Sequence, residues 1–123
     1  MAHKFFYNGK LIRKSEHEYT HAVITDDGKL AGCRTSRDAA QSIISSEISH
    51  AQREIENHKR ALKALENGEN GYVINLGRGN KYFHKFGNNE YETVENCQAA
   101  IRRLESFIEK CNNWKVVELE KRD

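Results

Sequence analysis

The sequence has no proline, one methionine, one tryptophan and three cysteines in 123 residues. Without proline there is neither a polyproline ligand segment nor a stiff Pro-rich linker. Cys33, Cys97 and Cys111 are odd in number and form no Cys-x-x-Cys pair, so neither a disulfide framework nor a zinc knuckle is indicated. Reduced thiols are the expectation. No apolar run approaches the roughly 18 residues of a membrane span, and Met1-Ala2-His3-Lys4 leads into no signal-peptide core. A cytoplasmic protein without a membrane partner is therefore expected. An excess of one charge is missing too, since 20 Lys and Arg stand against 18 Asp and Glu for a net +2. Binders of long nucleic acid usually carry a clearly basic domain, so that class is not favoured.

What remains is strongly polar, with 37% hydrophobic and 31% charged residues and a mean hydropathy of −0.85. The length suits one domain covering residues 1–123. So thin an apolar supply suggests that some stability comes from surface buried in a homo-oligomer.

The first third reads as β-hairpins. Lys4-Phe5-Phe6-Tyr7 and Lys10-Leu11-Ile12-Arg13-Lys14 flank Asn8-Gly9, a pair suited to a type I′ turn because both central residues need positive φ. Residues 19–25 and 29–34 flank Asp26-Asp27-Gly28 in the same way. These runs predict one antiparallel sheet of four strands. Thr35-Ser36 then offers an N-cap, with Asp38 in the first turn. Ile44, Ile48, Ala51, Ile55, His58, Leu62 and Leu65 repeat at alternating spacings of 4 and 3, the stripe of a helix packed along its length, and Asn67-Gly68 ends it. A third hairpin is predicted over residues 72–86, and a second helix over 93–112 with Val94, Cys97, Ile101, Leu104, Ile108 and Cys111 as its seam. Residues 114–120 read as a C-terminal strand. The result is an α+β fold without internal repeats: N-terminal antiparallel hairpins, and two helices with a hairpin between them. The first helix is the longer, so part of its seam lacks an intrachain partner. A two-fold dimer formed through the helices covers it most simply; coverage by the sheet is the alternative.

No catalytic motif stands out, and a non-enzymatic protein without cofactor is expected: there is no nucleophile elbow, phosphate loop or His-Glu-x-x-His. Glu16, His17, Glu18 and His21 have metal-ligand chemistry, but such residues more often decorate a solvent-facing edge. The richest stretch is residues 77–89. It combines a Gly-Arg-Gly turn, the cations Arg78, Lys81 and Lys85, the rings of Tyr82, Phe83 and Phe86, and the amides of Asn80, Asn88 and Asn89. A ring stacks on a base, Arg and Lys meet phosphate, and Asn serves either edge of a base or ribose. Strand alternation puts Tyr82, His84 and Phe86 toward the core and Lys81, Phe83 and Lys85 toward a ligand. An ordinary amphipathic hairpin with a solvated basic face has the same pattern. Arg34 and Arg37 flank the first helix start, where free N–H groups favour anions, and Arg102 and Arg103 lie beside the second seam. Together these residues suit a small polyanion.

The runs Phe6-Tyr7-Asn8-Gly9-Lys10-Leu11-Ile12-Arg13-Lys14-Ser15, Tyr19-Thr20-His21-Ala22-Val23-Ile24 and Cys33-Arg34 resemble small phage-encoded proteins. A β-rich N-terminal part followed by two zippering helices is similar to the first Thoeris anti-defence family. The resemblance covers most of the chain as architecture, but only its N-terminal hairpins as local wording. It implies a nucleotide sponge that sequesters cyclic ADP-ribose isomers made by bacterial TIR-domain proteins without cleaving them; some members also hold cyclic oligonucleotides at separate sites. It further implies a stacking role for Phe83, a polar partner at Asn88 or Asn89, and a basic contact from Arg102 or Arg103. The adjacency of those two arginines departs from the pattern, since only one of them faces a given pocket. The rival expectation is a phage inhibitor that docks directly on a host defence protein.

Overall fold

The computed structural model describes residues 2–87 and 92–123. The elements, in order, are β1 (His3–Tyr7), β2 (Lys10–Ser15), β3 (His21–Ile24), β4 (Leu30–Arg34), α1 (Arg37–Glu66), β5 (Gly71–Gly77), β6 (Asn80–Lys85), α2 (Val94–Asn112), β7 (Lys115–Glu118) and β8 (Glu120–Arg122). This is the mixed α+β composition with N-terminal hairpins read from the sequence. The chain divides into two compact units, one of residues 1–48 and 109–123, the other of residues 49–108, so the division falls within both helices.

In the first unit the local turn chemistry is as expected. Asn8 and Gly9 have φ of 51° and 76°, and Tyr7 pairs with Lys10 across the turn. Thr25 organises the second turn: its hydroxyl accepts from the Lys29 amide at 3.0 Å and its carbonyl from Gly28 at 3.0 Å. The four strands do not form one sheet, however. They separate into two three-stranded antiparallel sheets, ordered β2-β1-β8 and β4-β3-β7. The reason lies at the C-terminus, which forms two strands rather than one. β7 takes the free edge of β3, with Ala22 opposite Val117, and β8 takes the free edge of β1, with Phe5 opposite Lys121. Leu119 sits between them and donates its amide to the Thr20 carbonyl at 2.9 Å.

Alternation along β3 then sorts the core. Ala22 and Ile24 face Cys33 and Val117, with Tyr7, Ile12 and Tyr19 packed on them. Val23, on the other face, meets Ala40 and Ile44 of α1, with Ile43, Trp114 and Val116 alongside. Ser36 caps α1, accepting the Ala39 amide at 3.1 Å through its hydroxyl.

The second unit holds residues 49–66 of α1, the β5–β6 hairpin and residues 94–108 of α2. An isolated two-stranded hairpin is marginal in water, and its outer edges expose unpaired peptide groups. Side chains of α1 cover the outer edge of β5. Asn57 donates through Nδ2 to the Asn75 carbonyl at 2.9 Å and accepts the Asn75 amide through Oδ1 at 2.9 Å, as a neighbouring strand would. Arg60 donates to the Val73 carbonyl at 3.0 Å and also to Asn57 Oδ1. At the far end of β5 a Cβ on Gly77 would lie 2.5 Å from the Arg53 guanidinium and push it aside, and the φ of 89° there also favours glycine.

Asn57→Ala removes both bonds to Asn75 and leaves a partly buried N–H and C=O without partners. The expected loss is about 1–3 kcal/mol of stability, read as a lower urea midpoint at unchanged m-value.

Candidate functional site

In the second unit, the hairpin presents two faces. Cross-strand pairing sets Tyr72 opposite His84 and Ile74 opposite Tyr82 on one face, and Val73 opposite Phe83 and Asn75 opposite Lys81 on the other. On the first face three rings gather. Tyr72 and Phe86 lie 5.5 Å apart and 33° from parallel, and the His84 ring stands edge-on to Tyr72 at 5.6 Å. The Phe86 amide donates to the Asn70 carbonyl at 2.7 Å, which closes the base of the hairpin.

Glu92 holds this arrangement. Its Oε1 accepts from His84 Nε2 at 2.6 Å and its Oε2 from the Gly87 amide at 3.2 Å. A carboxylate only accepts, so Nε2 of His84 carries the proton. Thr93 caps α2 by accepting the Asn96 amide at 3.1 Å, which starts the helix directly after Glu92.

A cavity of about 400 Å³ opens over the Tyr72–Phe86 wall, bounded by His58, Glu92, Cys97 and Arg103. That volume falls within the range of small-molecule sites, roughly 300–1,000 Å³. The two rings offer a surface for a flat heterocycle, and Arg103 offers planar donors for phosphate or ribose oxygens. Burial, and then the Glu92 charge, pushes the Cys97 thiol above its ordinary 9.0. It is therefore a neutral, weak nucleophile at neutral pH. Burial also raises the Tyr72 phenol above 10.0, with smaller contributions from Cys97, Glu92 and Tyr82, so it stays a donor. Neither group is an activated nucleophile.

The residues expected from sequence are distributed differently. Arg103 lines the cavity, whereas Arg102 is exposed on α2 and is not among its lining residues. Phe83 lies on the other face of the hairpin, 60% exposed. Its ring covers Gly71, where a Cβ would come within 2.8 Å of it. Phe83 borders a second, shallower groove of about 330 Å³ with Arg60, Lys63 and Val73. Tyr82, assigned to the core by alternation, is 47% exposed; two strands are too narrow to bury every residue of a face. Arg78 occupies the hairpin turn with φ 53°, followed by Gly79 at 77°, and Lys81 is exposed on β6. Arg34 and Arg37 belong to the first unit, where the Arg34 guanidinium donates to the Cys33 carbonyl at 2.7 Å. Asn88 and Asn89 lie outside the described residues.

His58, Tyr72, Glu92 and Cys97 were not read as site residues from the sequence. His58 is the one available signal, a histidine on an otherwise apolar stripe, but seam packing explains it better. Among the described residues, no three His, Cys, Asp or Glu side chains form a group able to hold a metal ion, and no helix is long and apolar enough to cross a membrane. No family model, curated protein or solved structure matches the chain, so the chemistry of this cavity has to be read from its own residues.

The raised Cys97 and Tyr72 groups set a pH dependence. Both are held neutral in the folded chain and ionise more readily when it unfolds. The stability they contribute is complete below the ordinary thiol value of 9.0 and is lost as pH rises through the raised folded values. The thermal midpoint should fall as pH rises above about 9, and Cys97→Ala should flatten part of that fall.

Proposed function

We propose that this protein is a non-enzymatic binder that sequesters a small cyclic nucleotide signal, a cyclic ADP-ribose isomer, in the host bacterial cytoplasm and thereby blocks anti-phage defence. The observation that carries the reading is that the Tyr72–Phe86 rings and Arg103 line one cavity of about 400 Å³. A base stacks on the rings, the arginine meets a phosphate oxygen, and the carboxylate of Glu92 keeps lone pairs for ribose hydroxyls. Sequestration requires tight binding and no bond cleavage, which agrees with a thiol and a phenol both held protonated. The resemblance of the N-terminal hairpins to the first Thoeris anti-defence family supplies the ligand class.

Assembly is part of the proposal. Val94, Ile101, Leu104 and Ile108 of α2 remain only partly buried in the single chain. Such a half-covered helical stripe suits a homodimer, or a higher assembly built from dimers. A second reading has its own support: Leu76 at 55% exposure and Phe83 at 60% leave large apolar groups in solvent on the β5–β6 hairpin. A phage inhibitor that docks on a host defence protein by direct contact would use such a hairpin.

Isothermal titration with cyclic ADP-ribose isomers tests the first reading. Binding is expected, with the ligand recovered intact after denaturation; no heat, or a cleaved product, rejects it. Phe86→Ala should weaken binding by about 1–3 kcal/mol, whereas a loss confined to Phe83→Ala would move the ligand to the second groove. Leu104→Asp places a charge in the proposed seam and should yield monomers by light scattering. A folded variant of unchanged mass would remove the helical interface.

A further inference from the structure

The first unit contains a cavity of its own, independent of the proposed nucleotide site. It measures about 470 Å³ and lies where the β1–β2 turn, the β3–β4 turn and the start of β7 meet. Its walls combine an apolar surface from Ile12, Ile24 and the Tyr7 ring with three charged groups, Lys10, Lys115 and Asp26. The Lys115 ammonium stands 5.9 Å from the centre of the Tyr7 ring. Ile24 is only 6% exposed and belongs to the core cluster of Ala22, Cys33 and Val117, so this part of the wall is anchored. The turn that carries Lys10 is set by Asn8 and Gly9 in their positive-φ conformations.

Some exposed charges of this unit pair with one another. Lys121 binds Glu18 at 2.9 Å, Arg122 binds Glu120 at 3.0 Å, and Lys29 lies 3.6 Å from Asp27. Among the described residues, by contrast, the side chains of Lys10, Lys115 and Asp26 make no ion pair or hydrogen bond with the protein. Two unpaired ammonium groups and one unpaired carboxylate thus surround an apolar, aromatic wall.

We propose that this cavity binds a small organic carboxylate with a flat apolar body. The body lies against Tyr7, Ile12 and Ile24, and the carboxylate sits between Lys10 and Lys115. The charge count selects a monoanion. Two lysines against one aspartate leave a single positive charge, and Asp26 repels a second negative group such as the dianion of a phosphate ester. Lysine also suits this role, being a mobile point charge that needs no bidentate geometry. The volume fits a ligand of this size.

Phenylacetate is the probe, with 2-phenylethanol as the uncharged control of the same shape, both titrated into the full chain and followed by two-dimensional ¹⁵N–¹H NMR. Phenylacetate should shift the amides of Tyr7, Ile12, Ile24 and Lys115, and the alcohol should bind about tenfold more weakly. Lys10→Gln combined with Lys115→Gln should lower phenylacetate affinity about tenfold. Asp26→Asn should raise it about threefold by removing the repelling charge, a gain that no folding defect can mimic. Absence of shifts at these amides, equal binding of the alcohol, or no gain with Asp26→Asn overturns the proposal. The outcome is separate from that of the cyclic nucleotide titration, because the two cavities share no residue.

Discussion

The second unit depends on one side-chain amide standing in for a strand. Asn57 gives and takes the two hydrogen bonds that Asn75 would otherwise make with a neighbouring strand, and Arg60 adds a third at Val73. A lone hairpin does not bury enough surface to hold itself, and an open edge invites foreign pairing. By covering that edge, α1 turns the hairpin into a fixed wall. Arg53 lies against Gly77 at the end of the strand, where a side chain would displace it. Tyr72 is carried on β5, so its position follows from that contact.

A comparable economy governs the first unit. Its hairpins supply four strands, and the last residues of the chain supply the third strand of each sheet. β7 and β8 reach both sheets because Leu119 interrupts the run and ties back to Thr20. β1 and β3 thereby become central strands, and they carry fully enclosed side chains, Phe5 and Val23 both at 0% exposure. The surface pairs around them, such as Lys121 with Glu18, are exposed, and pairs of that kind contribute little to stability. The fold of this unit rests on strand pairing and on the two faces of β3.

The Tyr72–Phe86 cavity combines rings, one cation and one anion. One arginine and one carboxylate line the cavity together with an aromatic wall, and burial raises the pKa of the nearby thiol. Glu92 has a double use. By bonding both His84 and the Gly87 amide it orders the segment bearing Phe86 before any ligand arrives, and preorganisation of that kind lowers the cost of binding. The hairpin thus contributes to two distinct surfaces, with Phe83 on the face away from the cavity and covering Gly71.

Features set by a few adjacent residues were legible in the sequence: the Asn8-Gly9 turn, the Ser36 cap, the stripes of both helices and the two-stranded run around Arg78-Gly79. Each depends on backbone dihedrals or on periodicity within one segment, which residue type determines directly. The candidate site was only partly legible. Arg103 could be named, but Phe86 reads as core, Tyr72 carries no face assignment, and nothing in the spacing marks His84 and Glu92 as partners. The exchange of strands at the C-terminus and the Asn57–Asn75 bond, 18 residues apart, were equally hidden. By itself the sequence determined most elements and their order, though not the split of the C-terminal run into β7 and β8, because local propensity sets the former. Only the tertiary structure decided which strand edges meet, which hairpin face becomes a wall and which charges stay unpaired. Those outcomes depend on which distant groups satisfy one another's hydrogen bonds and exclude water, and residue order does not encode that pairing locally.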